Sequence, residues 1–135
     1  MELQLRSLKE SDWEVLQIWW EAWGWPIMSK DLMPLNGLGG LIVEKDGKPI
    51  AAGFLYLTNA KVAWTEWIVS DPEYREADRV DSLKMIVSGL EDVAIAAGYK
   101  IILSIGRSKG LLNIHRELGY IVDDDPSYEI SKKIA

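Results

Sequence analysis

Residues 62 to 99 constrain this chain more than any other stretch, because they read as a strand turning sharply into one long amphipathic helix. Val62, Trp64, Thr65, Trp67, Ile68 and Val69 are β-branched or aromatic residues of the kind that fill a pleated, half-buried surface. Asp71-Pro72 ends that strand, since proline has no N–H for the ladder and a fixed φ. After Arg75 apolar residues recur at helical spacing as Val80, Leu83, Val87, Leu90, Ala94 and Ala97, with Ile86 and Val93 widening the stripe. Gly98 is the expected stop. A strand that feeds a helix in this way leaves free helix N–H groups at the turn, a place suited to an anion.

The composition narrows what surrounds this unit. With 135 residues, 48% of them hydrophobic, the chain has room for one domain, residues 1–135, with one good core. No run is long and apolar enough to span a membrane. The N-terminus, MELQLRSLKESD, is polar and mixed in charge, which is not the pattern of a signal peptide. The absence of cysteine fits a cytoplasmic protein and rules out disulfides and thiolate metal sites. One histidine argues against a His-based metal centre. A formal charge of -6 without a basic run opposes nucleic-acid binding. The unusual feature is tryptophan: seven in all, five of them between Trp13 and Trp25.

In chain order, Glu2 to Ser7 alternates as a half-buried first strand, with Leu3 and Leu5 on one face. Ser11 with Glu14 fits a capping box, so a helix is expected from there toward Trp23. Leu16, Trp20 and Trp23 form one stripe of it, and Val15, Ile18, Trp19 and Ala22 a second beside it. Gly and Pro make residues 24 to 40 loop-rich, with a short helical turn expected around Ser29 to Met33. Leu41 to Glu44 and Pro49 to Leu57 flank Asp46-Gly47, a hairpin turn, and a second reversal at Thr58 to Lys61 leads into the central strand. Lys100 to Ile105 reads as a buried strand, parallel to the central one through a right-handed crossover. Leu111 to Leu118 is a short helix ended by Gly119, and Tyr120 to Val122 and Tyr128 to Ile134 are expected to complete the sheet around Asp123-Asp124-Asp125-Pro126. The order is β-α-(α)-β-β-β-α-β-α-β-β, a mixed α/β sheet with helices on both faces.

That order and two local motifs resemble the GNAT superfamily of acyl-CoA-dependent N-acyltransferases. The first motif is IVSDPEYREADRV, which is similar to the family's run from the central strand into the main helix. The second is NIHRELGYIV, which is similar to its short helix ending in Leu-Gly-Phe. The resemblance covers nearly the whole chain. It implies a single GNAT-like domain that binds acetyl-CoA, the pyrophosphate lying on the turn of Arg75, Glu76, Ala77, Asp78, Arg79 and Val80. This turn has no glycine where the family's turn is glycine-rich, so a cofactor here would use side chains more than bare amides.

The resemblance also implies roles for single residues, each with a plainer alternative. Glu66, on the central strand, corresponds to a carboxylate near the acceptor amine; as a general base it would take the ammonium proton, with burial beside Trp64 and Trp67 raising its pKa. The alternative is an outward-facing strand residue. His115 stands where the family often has a tyrosine that protonates the leaving thiolate, and an imidazolium suits that task, with a reference pKa of about 6.5; the alternative is a packing residue. Ser108 falls where an asparagine contacts the pantetheine arm, or it caps the following helix. Backbone groups of Ile68 and Val69 would pair with pantetheine amides. Trp19, Trp20, Trp23 and Trp25 lie in the region that forms the acceptor wall, where indoles stack on an aromatic or cationic group; they also fit the core, or an interface with a second copy of the chain.

Two functions follow. One is an N-acetyltransferase acting on a small-molecule or peptide amine, with Glu66 and His115 as its acid–base groups and no metal. The other is a catalytically inactive GNAT-like binding or structural module, as met in small viral relatives, that has lost acyl-CoA binding.

Overall fold

The computed structural model describes residues 2–135. Strand β1 (Leu3–Ser7) leads into α1 (Asp12–Ala22), and two single-turn 3-10 helices (Lys30–Leu32 and Pro34–Gly37) cross to β2 (Gly40–Lys45). Strands β3 (Lys48–Leu57) and β4 (Val62–Ser70) follow, then α2 (Arg79–Ala96), β5 (Ile101–Ser104) and α3 (Lys109–Glu117). The five strands lie side by side in sequence order. Every neighbouring pair is antiparallel except β4 and β5, which are parallel. A helical crossover is what parallel neighbours require, and α2 supplies it. At the β2–β3 hairpin Asp46 and Gly47 both take positive φ, 53° and 77°, the backbone of a type I′ turn. No helix among the described residues is long and apolar enough to cross a membrane.

The sheet carries a separate apolar layer on each face. Helix α1 sets Leu16, Trp19 and Trp20 against Ile42, Ala52 and Phe54. On the other face α2 sets Ile86, Val87, Leu90 and Ala94 against Val43, Ala51 and Ala63. The alternation of Ala51, Ala52, Phe54 and Leu55 between the two layers is the period-2 pattern of a central strand buried on both sides. Gly53 faces α2, where an added Cβ would stand 2.8 Å from Ile86 Cγ2 and 3.1 Å from Leu90 Cδ1. A Gly53→Ala variant is therefore overpacked, and denaturant unfolding is expected to show a loss of about 1–3 kcal/mol.

Four sequence expectations are corrected. Tyr120 to Val122 and Tyr128 to Ile134 form no strand, and Ile121, Tyr128, Ile130 and Ile134 stand in solvent. Alternation only marks which side chains would share a face; a strand also needs a paired edge, and β5 offers one of four residues, ahead of the Asp123-Asp124-Asp125-Pro126 break. For the same reason β5 is an edge strand rather than a buried one, with Ile101 and Leu103 exposed. Ser11 precedes α1 but makes no capping hydrogen bond; the Asp12 carboxylate instead accepts from Lys9 N at 2.9 Å and pairs with Arg6 at 2.8 Å. On α2 the buried stripe is Ile86, Val87, Leu90 and Ala94, while Val80, Val93 and Ala97 face water.

Candidate active site

The pairing of β4 with β5 ends at Thr65 and Ser104, yet β4 continues to Ser70. From Glu66 onward its β5-side edge has no partner strand, and the backbone of Ile68 and Val69 lies in this splayed segment. The other side of β4 is irregular at the same level. Ala52 pairs with Val69 and Phe54 with Glu66, so Gly53 alone faces Trp67 and Ile68. This is a β-bulge, and Trp67 sits in it with φ of 60°. A bulky side chain in the left-handed region is strained and persists only where its surroundings hold it. Trp20 and Trp25 hold it here, with ring centroids 5.7 and 6.3 Å from that of Trp67. The Trp67 indole N–H donates to Tyr56 Oη at 3.1 Å. The bulge turns Glu66 and Trp67 toward one side of the sheet, the side of α1.

Both residues line a cleft of about 470 Å³. Tyr56 and Trp64 face each other across β3 and β4 in its wall, and Met28 and Leu32 border it from the segment after α1. Glu66 is directly opposite Phe54, a fully buried ring. Burial in these apolar surroundings pushes the Glu66 carboxyl above its ordinary value. The Trp64 indole and the Arg107 guanidinium oppose that shift, while the Glu129 carboxylate adds to it. A half-buried carboxylate with a raised pKa, in a cleft next to an open strand edge, has the properties of a general base.

The N-terminus of α2 follows the far end of β4. Ser82 N bonds to Asp78 O and Arg79 N to Glu76 O, and in an α-helix the amides between them, of Val80 and Asp81, have no intrahelical acceptor. Asp78, the residue at the start of the helix, does not turn its carboxylate to cap them. It accepts from Lys45 Nζ at 2.8 Å and from the Tyr74 hydroxyl. Lys45 first, then Tyr74, keeps its carboxyl below the usual range. Arg79 donates to Ser70 Oγ at 3.1 and 3.2 Å, with its guanidinium 6.0 Å from the Trp23 ring centroid. Arg75, Glu76 and Ala77 are exposed.

The remaining expected residues divide. Ser108 caps α3, its hydroxyl accepting from Leu111 N at 3.1 Å. His115 is buried on the α2 side of the sheet, its ring edge-on to Tyr120 at 4.9 Å. Its Nδ1 donates to the Leu111 carbonyl oxygen at 2.8 Å, and its Nε2 is buried without a hydrogen-bond partner. That placement suits a packing residue. None of Trp19, Trp20, Trp23 and Trp25 lines the cleft. Trp19 and Trp20 are core residues, Trp25 backs Trp67, and Trp23 donates to the Ser70 carbonyl at 2.8 Å. The aromatic wall is Tyr56, Trp64 and Trp67 instead. Their signal was present in the alternation of β3 and β4, which puts residues 56 and 64 on one face, but the bulge that adds Trp67 was not. No cluster of His, Cys, Asp and Glu able to hold a metal occurs among the described residues.

No protein-family model and no curated protein matches this sequence. Solved structures do match. An acetyltransferase of Trypanosoma brucei superposes with a TM-score of 0.69 at 19% identity, covering 96% of this chain and 100% of its own. A GCN5-related N-acetyltransferase of Ralstonia eutropha gives 0.65 at 18% identity, covering 98% of this chain and 99% of its own. A Salmonella typhimurium protein solved with its cofactor acetyl-CoA gives 0.71 at 13% identity, over 90% of this chain and 80% of its own. This chain has the fold of the GCN5-related N-acetyltransferases.

Proposed function

Starting from that fold, we propose that the protein is an N-acetyltransferase that uses acetyl-CoA to acetylate a primary amine. The observation that carries this reading is the coincidence, at one level of β4, of an open strand edge, a strained bulge and a carboxylate with a raised pKa. The residues present fit the acyl donor. The unpaired edge at Ile68 and Val69 offers main-chain groups to an extended amide-bearing arm, and the first-turn amides of α2 offer N–H groups to its phosphates. Asp78, at the start of the helix, is already engaged by Lys45 and Tyr74, which offsets part of the charge that would repel a phosphate.

Bound acetyl-CoA supplies an acyl group activated as a thioester, so that a C–N bond forms as the C–S bond breaks. Glu66 takes the proton that the ammonium must lose before its nitrogen can attack, directly or through one water, and returns it to solvent. A main-chain N–H on the open edge of β4 steadies the charge that develops on the acyl oxygen. The departing sulfur would take its proton from water, since His115 is buried on the α2 side of the sheet.

Calorimetric titration with acetyl-CoA tests the donor site. Binding at micromolar concentration is expected, weakened at least about tenfold in an Arg75→Glu, Arg79→Glu double variant because the phosphates then meet two more carboxylates. A folded protein that takes up no acetyl-CoA at millimolar concentration is not an acetyltransferase.

A further inference from the structure

The cleft beside Glu66 is unusual in how little polar chemistry it leaves free. Tyr56 Oη accepts from Trp67 Nε1 at 3.1 Å and donates to the Leu32 carbonyl at 3.3 Å. Thr58 Oγ1 donates to the Val62 carbonyl at 2.6 Å and accepts from Ala60 N at 3.2 Å. The phenol, the hydroxyl and one indole N–H are therefore committed to the protein. The second indole, Trp64, lies next to the Glu66 carboxyl and opposes its shift. What remains for a ligand is the apolar surface of Met28 and Leu32, three aromatic rings, and one carboxylate.

We infer that the acceptor is an arylalkylamine: a primary ammonium on a short chain, carrying a flat apolar body. This deepens the acetyltransferase reading and rests on it. The flat body fills the space between Tyr56, Trp64 and Trp67, where ring faces give contact and no hydrogen bond is lost. The ammonium meets Glu66, the single formal charge in the lining, with π-faces beside it that also favour a cation. The volume of about 470 Å³ is within the range of about 300–1,000 Å³ typical of small-molecule sites. A polyhydroxylated amine would leave its hydroxyls unpaired against these rings, which costs binding. A polyamine would place its second charge against apolar surface, since the lining holds no second carboxylate and nearby Glu129 is already paired with Arg107.

The test is binding of amines to the protein without acetyl-CoA, so that it stands apart from the donor titration. Tryptamine, its neutral analogue tryptophol, spermidine and L-lysine are titrated into the parent, Glu66→Gln, Trp64→Phe and Trp64→Ala. Tryptamine is expected to bind at least about tenfold more tightly than each of the other three. Glu66→Gln is expected to abolish the advantage of tryptamine over tryptophol. Trp64→Ala is expected to weaken tryptamine about tenfold while Trp64→Phe retains it. Spermidine or lysine binding as well as tryptamine, or tryptophol matching it in the parent, overturns the inference. So does the absence of tryptamine binding. If Trp64→Ala fails to fold, the Glu66→Gln and spermidine comparisons decide alone. Loss of the donor site with tryptamine still bound would remove the transferase and leave the pocket.

Discussion

Replacing Glu66 by Gln is expected to reduce the acetylation rate by about 10²–10⁴-fold at neutral pH, the range that a positioned general base contributes. The substitution keeps the shape of the side chain and removes only its ability to take a proton. The pH profile is the sharper readout. Glu66 must be ionised to act, and burial against Phe54 and Trp64 raises its carboxyl pKa, so parent activity should fall on acidification nearer to neutrality than an exposed glutamate would allow. Arg107 limits that shift and Glu129 adds to it, so Arg107→Ala should move the acid limb further up and Glu129→Ala should move it down. Stability carries the opposite sign. A carboxyl whose folded pKa exceeds its unfolded value favours the folded state at low pH, and that contribution is lost as pH rises through the folded pKa. Glu66→Gln should therefore be at least as stable as the parent at neutral pH, with the difference disappearing in acid. A variant that keeps parental activity across the profile would exclude Glu66 as the base.

Trp20→Ala is expected to have the largest effect on stability. The side chain is fully buried in the layer between α1 and the sheet. Its ring lies 5.4 Å from that of Trp13, 6.2 Å from Phe54 and 5.7 Å from Trp67. Removing so large a buried ring costs about 3–5 kcal/mol, set against a total of about 5–15 kcal/mol for a domain. Thermal unfolding should show a fall in Tm of more than about 10 °C. The effect reaches the site because Trp20 is one of the rings that hold Trp67 at positive φ. A variant that remains folded at low temperature should lose tryptamine binding along with stability. A Tm within a few degrees of the parent would mean that the layer closes around the gap and that Trp20 does not support the bulge.

Much of the fold follows from local chemistry that a sequence carries. Asp71-Pro72 ends β4 and Gly98 ends α2; Asp46-Gly47 makes the hairpin because both positions tolerate positive φ. Glu66 was a candidate because the resemblance implies a carboxylate there, and the structure places it half-buried in the cleft. Ser108 as a cap follows equally from its place before an apolar helix.

The tryptophans show where that legibility stops. A cluster from Trp13 to Trp25 marks α1 as strongly apolar, but its place in the chain does not say which side of the helix meets the sheet. Packing sent Trp19 and Trp20 into the core and left the cleft to Tyr56, Trp64 and Trp67. The tail differs for a related reason: the alternation of residues 128–134 had no edge long enough to pair with. By itself the sequence determined the elements from β1 to α3, their order and their turns, because those depend on φ and periodicity within a few residues. Only the tertiary structure decided the bulge at Trp67, the splay after Thr65 and the commitment of the cleft's polar groups, because each depends on which strand or ring ends up opposite.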